Sequence, residues 1–306
     1  MTGLPIIDAH HHVWDVGLNY HPWLRDEPMI PFRYGNYAAL RRSYLPSDYR
    51  ADAKRFDVRA TVYVETEWDP RDPVGETRWV HALAKQEGLP NAVVAQAWLD
   101  REDVAEVLAA QAAFPLVRSV RHKPRAARSA AEAQRGAAGS MDCPVWRSGF
   151  ARLQRHGLHF DLQTPWWHFE AAAELARDFP KTLLIINHTG LPSDRSPEGI
   201  AGWRRSLDLV AQEPNMRLKI SGIGVPGNSW TVALNGHVVR DAISIFGASR
   251  AMFASNFPVD SLVATFDEIF DGFDVITAGL DERDRSRLFH DTAAEVYRPV
   301  MRPLLT

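Results

Sequence analysis

The chain has 306 residues, 45% of them hydrophobic, with 35 lysines and arginines against 38 aspartates and glutamates and one cysteine, Cys143. Near-neutral charge without a block of one sign excludes a polyanion-binding tail, and a single cysteine excludes both an internal disulfide and a Cys-rich zinc module. No basic run leads into an apolar segment at the start and no stretch is apolar enough to span a bilayer, so a soluble, unsecreted protein of the reducing cytoplasm is expected.

Residues 6–12 open the pattern with an apolar run that ends in three consecutive histidines. A long insertion, residues 20–49, follows; its Trp23, Phe32, Tyr34 and Tyr37 favour an ordered βα loop over a disordered one. Further β-branched or apolar runs occur at 60–66, 92–99, 116–122, 159–164, 183–188, 216–221 and 251–255. Between and after them lie segments of helical period at 78–87, 105–113, 169–179, 203–213 and 261–278, the last closed by Gly279. Residues 125–140, rich in Ala, Arg, Gly and Ser, read as an irregular, mobile stretch. Eight strands alternating with helices is the count of a (β/α)8 barrel, although a doubly wound sheet has the same local pattern. The expectation is one α/β barrel domain over residues 1–306. Gly222, Gly224 and Gly227 are irregularly spaced and open no helix, so no nucleotide loop is expected.

In such a barrel the strand ends and the loops after them form the active face. Strict alternation along the first strand would put Asp8, His10 and His12 on one side, with Asp8 able to orient an imidazole. Two imidazoles two residues apart can converge on one ion or one carbonyl oxygen. The sixth strand ends in His188, and the eighth runs into Asn256 and Asp260. Glu65, Arg121, His122 and Gln163 stand at other strand ends as candidates for holding a polar or anionic substrate, with Trp166 as a pocket wall. Each has a plainer alternative: a turn for Asn256 and Asp260, a surface ion pair for Arg121 and His122, core packing for Trp166.

The motifs Asp8-Ala9-His10-His11-His12-Val13-Trp14, Asn187-His188-Thr189-Gly190-Leu191-Pro192, Leu218-Lys219-Ile220-Ser221-Gly222 and Ser255-Asn256-Phe257-Pro258-Val259-Asp260, in this order, resemble the amidohydrolase-2 branch of the amidohydrolase superfamily. The likeness runs from about residue 6 to about residue 300 and is strongest toward sugar lactonases and 2-pyrone-4,6-dicarboxylate lactonase. It implies a TIM barrel in which His10, His12 and His188 bind a divalent metal or polarise the substrate carbonyl directly. The family's usual acid on the last strand is Asn256 here, which leaves Asp260 or Glu65 to accept a proton from water. One zinc, or none, is the corresponding expectation. The expected activity is hydrolysis of a small lactone or related cyclic ester, with Arg121 and His122 holding its hydroxyls or carboxylate. A metal-dependent decarboxylase of the same superfamily and a non-catalytic binding barrel are the alternatives, and a homo-oligomer stays open.

Overall fold

The computed structural model describes residues 3–301. Eight strands, β1 Ile6–His11, β2 Val58–Val64, β3 Ala92–Gln96, β4 Val117–Arg121, β5 His159–Leu162, β6 Leu184–Ile186, β7 Met216–Ile220 and β8 Ala251–Phe253, form one parallel sheet in sequential order. The first and last strands meet through two backbone bonds at their ends: Asn256 N donates to His10 O at 2.8 Å and His12 N to Phe257 O at 2.7 Å. A helix follows every strand. In order these are α1 Pro46–Ala53, α2 Gly75–Glu87, α3 Val104–Ala112, α4 Pro144–Phe150, α5 Phe169–Asp178, α6 Pro197–Ala211, α7 Val232–Phe246 and α8 Phe266–Thr277.

Alternation along the strands builds two cores. Val93, Val120, Phe160, Leu184, Leu218 and Phe253 turn outward and are buried in one cluster with Val80, Leu108, Phe150, Leu175, Trp203, Val239 and Phe270 of the helices. Ile7, Ala60, Val62, Val94, Ile185 and Met252 turn inward and form the second. Each large side chain so buried is worth about 1.5–3 kcal/mol of transfer free energy. A last helix, α9 Thr292–Tyr297, adds Ala293, Val296 and Tyr297 to the inner cluster, and Val300 N donates to Asn91 O just before β3, so α9 covers the mouth where the strands begin.

Strict alternation fails in β1. Its register against β2 shifts between Asp8 and His11. Ile7 and Ala9 belong to the inner cluster, whereas Asp8 accepts from Tyr49 Oη at 2.8 Å and His11 packs on the same ring at 4.7 Å. Asp8 therefore faces α1, not the other histidines. It accepts from Ser255 N and Oγ at 2.9 and 2.6 Å and so staples the two edge strands together; burial pushes its carboxyl upward against these bonds. The extra residue is a bulge, which re-aims the side chains after it. His10 and His12 consequently both point to the barrel axis.

The insertion at 20–49 is ordered by aromatic packing. Trp23 stacks on Phe32 at 5.7 Å, Trp14 meets Trp23 edge-on at 5.5 Å, and Trp14 pairs with Tyr44 through the backbone. The 125–140 stretch is anchored by Arg135, which pairs with Asp142 and Glu174. Among the described residues no helix is long and apolar enough to cross a membrane.

Candidate functional site

Three imidazoles meet at the strand ends. The His10 ring lies 4.9 Å from His12 and 4.6 Å from His188, and all three are buried. Burial, reinforced by Lys219 for His10, by Arg121 for His12 and by Arg33 for His188, drives each well below the ordinary histidine value, so all three are neutral near pH 7. His12 Nδ1 lies 2.8 Å from Val64 O, an acceptor, so the proton sits on Nδ1 and Nε2 carries a lone pair. That lone pair faces Asn256 Oδ1 at 3.3 Å. The Asn256 amide is oriented by its other end, where Nδ2 donates to Asp260 Oδ1 at 2.6 Å.

Two acceptors thus confront each other in a buried pocket. A shared cation or a proton would relieve that, and the proton is disfavoured by burial and Arg121. Both nitrogens of His10 are also enclosed with no protein partner. The Nδ1–H to carbonyl bond of His12 is the support a metal-binding imidazole usually has. These donors fit a single divalent cation held by His10, His12, His188 and the Asn256 carbonyl. Among the described residues no three His, Cys, Asp or Glu side chains are arranged as a metal-holding group.

Backbone strain concentrates here. Among the described residues, the non-glycine residues with left-handed φ are Glu67, His188, Thr189, Leu191, Asn256 and Arg298, and all but Arg298 lie in loops of this face. Such conformations cost about 1–3 kcal/mol each and persist where neighbours over-determine them. Gly222 makes room for His188 and Arg33: at φ +59° a Cβ would come within 2.6 Å of His188 Nδ1 and 2.8 Å of the Arg33 guanidinium. His188 Nδ1 is then free to sit 3.1 Å from Ser221 Oγ.

Above the imidazoles is a cavity of about 250 Å³, lined among others by His12, His188, Asn256, Arg33, Arg121, Gln163 and Glu67. Arg121 donates to Glu65 Oε1 at 2.5 Å and to Gln163 Oε1 at 2.9 Å, which orients the Gln163 amide at the cavity wall and leaves its amino group unused by Arg121. Glu65 also accepts from Glu67 N at 2.8 Å and does not line this cavity. Asp260 Oδ1 accepts from Asn256, from Tyr34 Oη at 3.0 Å and from Arg33 at 3.2 Å; burial raises its carboxyl and Arg33 opposes this. Asp260 lies behind Asn256, outside the cavity wall. His122 lines a neighbouring cavity instead, and Trp166 lines neither, packing over Gly202 of α6.

Three groups, Arg33, Tyr34 and Lys219, join the site that the strand-end pattern does not indicate, and Asp161, a polar group at the end of the fifth strand, joins it through Lys219. Arg33 and Tyr34 arrive from the insertion, where nothing in their spacing points at Asp260. Lys219 and Asp161 form an enclosed ion pair at 2.6 Å beneath the imidazoles, with Tyr297 Oη donating to both Asp161 oxygens at 2.9 and 3.0 Å. A lysine between Leu218 and Ile220 on an apolar strand is the visible signal of that pair.

The sequence and the fold have counterparts among known proteins. A family model described as amidohydrolase matches residues 7–298. The chain is 40% identical over 298 residues, 97% of its length and 100% of the relative's, to an uncharacterised protein, y4mH, of Sinorhizobium fredii. It is 27% identical over 261 residues to an L-fucono-1,5-lactonase of Burkholderia ambifaria, covering 85% of this chain and 82% of that one. A crystal structure of an amidohydrolase from Burkholderia multivorans with bound zinc superimposes with a TM-score of 0.77 at 25% identity, over 96% of this chain and 99% of that one. A sequential parallel barrel with histidines at the ends of its first and sixth strands, matched along almost its whole length, shows that this chain belongs to the amidohydrolase family.

Proposed function

We propose that the protein hydrolyses a small lactone at the imidazole cluster. The observation that carries this reading is the meeting of neutral, partly unpartnered imidazoles with the Asn256 carbonyl at the floor of a small cavity that has guanidinium groups in its walls. The likeness to L-fucono-1,5-lactonase supports the same substrate class. The lactone carbonyl would lie over His12 and His188, with its ring hydroxyls toward Gln163 and Arg33. His10, His12, His188 and Asn256 would hold one divalent ion, which when bound supplies Lewis-acid polarisation of that carbonyl.

Glu67 is the carboxylate lining this cavity, with its Oε1 paired to Lys123, whereas Asp260 and Glu65 stand outside the cavity wall. It takes the proton of the attacking water as oxygen adds to the carbonyl carbon. The bond from that carbon to the ring oxygen then breaks, the ring oxygen receives the proton from Glu67, and a hydroxy acid leaves. Arg121, already paired with Glu65, stabilises the negative charge that develops on the carbonyl oxygen.

Proton release from a panel of sugar 1,5-lactones tests the reading. The parent is expected to turn over at least one of them, and His188→Ala to lower kcat/KM by about 10²-fold or more while keeping the parent's circular dichroism. Equal rates for the two proteins, or no hydrolysis by the parent, would contradict it.

A further inference from the structure

A second cavity, of about 560 Å³, adjoins the first and has no part in the steps above. The two share Trp23, Glu67, Arg121 and Lys123, so the Glu67–Lys123 ion pair stands between them. Its remaining lining comes from the loops after β1 to β4, chiefly Trp68, Trp98, Asp100 and His122. Trp98 leaves 39% of its surface exposed, an uncommon placement for so large an aromatic, and lies nearly parallel to the His122 ring at 6.2 Å.

The polar groups around this indole have defined directions. His122 Nδ1 receives Leu99 N and Trp146 Nε1, both at 3.0 Å, so it is an acceptor and the ring proton sits on Nε2. That proton points toward Asp100, whose Oδ1 is 3.9 Å away. The cavity therefore presents flat indole faces together with an imidazole N–H, three carboxylates, an ammonium and a guanidinium. A purely apolar ligand would strand Asp100 and His122, and with Glu65 paired to Arg121 and Glu67 to Lys123 the remaining charge is that of Asp100, which disfavours an anion. A pyranose ring satisfies both sets: its C–H face covers an indole while its hydroxyls exchange hydrogen bonds with the carboxylates and the imidazole.

We infer that this second cavity binds a glycosyl ring attached to the lactone, so that the substrate is a two-ring aldonolactone and not a single sugar lactone. The inference rests on the lactonase reading for the reacting ring, while the residues that line the second cavity alone, among them Trp68, Trp98, Asp100 and His122, take no part in the chemistry.

Initial rates with matched disaccharide and single-sugar 1,5-lactones test it, using the parent and Trp98→Ala. The parent is expected to show about tenfold higher kcat/KM for a disaccharide lactone. Trp98→Ala should remove that advantage, about 1.4 kcal/mol, and leave the single-sugar rate within twofold. No preference in the parent, or an equal fall on both lactones, would overturn the inference. If the parent opens no lactone, the lactonase reading fails by itself, and calorimetry with the open disaccharide acid judges the cavity. Binding that weakens about tenfold in Trp98→Ala upholds the glycosyl site, and absence of binding refutes it.

Discussion

The inner surface of the barrel has two unlike walls. Along β1 to β3 it is apolar, with Ile7, Ala60, Val62, Ala92 and Val94 packed together, whereas along β4, β5 and β7 the inward positions are Ser119, Arg121, Asp161 and Lys219. Both walls are equally buried and obey the same alternation, so they differ only in what burial does. The apolar wall contributes hydrophobic free energy directly. The polar wall carries charges whose desolvation is offset only because each has a partner, Arg121 with Glu65 and Lys219 with Asp161. Reactive groups collect where the polar wall meets the bulged end of β1, and the apolar wall is the support that lets such a costly arrangement exist.

Breaking one wall at a time should separate stability from catalysis. The largest effect is expected from Asp161→Ala, which leaves the Lys219 ammonium enclosed without its carboxylate and Tyr297 without its acceptor. Urea titration should show a loss of about 3–5 kcal/mol together with a fall in activity. Met252→Ala, in the apolar cluster, should cost about 2–5 kcal/mol through its cavity, yet the folded variant should keep kcat/KM within a few-fold. A lactonase activity lost equally in both variants would mean that the two walls are not functionally distinct.

Acid sharpens the contrast at a smaller scale. His21, buried beside the carbonyl of Thr66, is held down to about 4 by burial. The unfolded chain binds this proton near 6.5 and the fold refuses it until about 4. Its contribution is therefore complete above pH 6.5 and is lost as pH falls toward 4, reaching about 3 kcal/mol at most. Melting curves between pH 7 and 4.5 should show a shallower decline for His21→Leu than for the parent. A steeper decline would reverse the assigned sign.

The smallest expected change comes from Asp260→Asn, which keeps the shape behind Asn256 and removes the charge that orients its amide. A loss of about 10–100-fold in kcat/KM with KM nearly unchanged is the signature of a positioning residue. A rise in KM alone would place Asp260 in substrate binding.

The barrel was readable because each strand has a compact apolar run. The expected segments begin on the same residue as β1, β3, β5, β7 and β8, and they overrun at the far end because the polar residues there continue the extended chain into the loops. His10, His12 and His188 were legible for the same reason, as polar groups abruptly ending apolar strands. The bulge in β1 was not, since one unpaired residue leaves no mark in composition, and assuming strict alternation misplaced Asp8. Nor was the joining of Arg33 and Tyr34 to Asp260, a contact across 226 or more positions that only closure of the barrel creates. Asn256 stands between these cases. Its replacement of an acid was visible, but its amide acquires a direction only from the buried carboxylate behind it.

The most direct measurement is a crystal structure of the protein with the hydroxy acid formed by lactone opening. The account predicts the new carboxylate over His12, His188 and Asn256 in the smaller cavity, with the hydroxyls toward Gln163 and Arg33. Product bound elsewhere, with the imidazole cluster out of contact, would contradict the assignment of the reaction to this site.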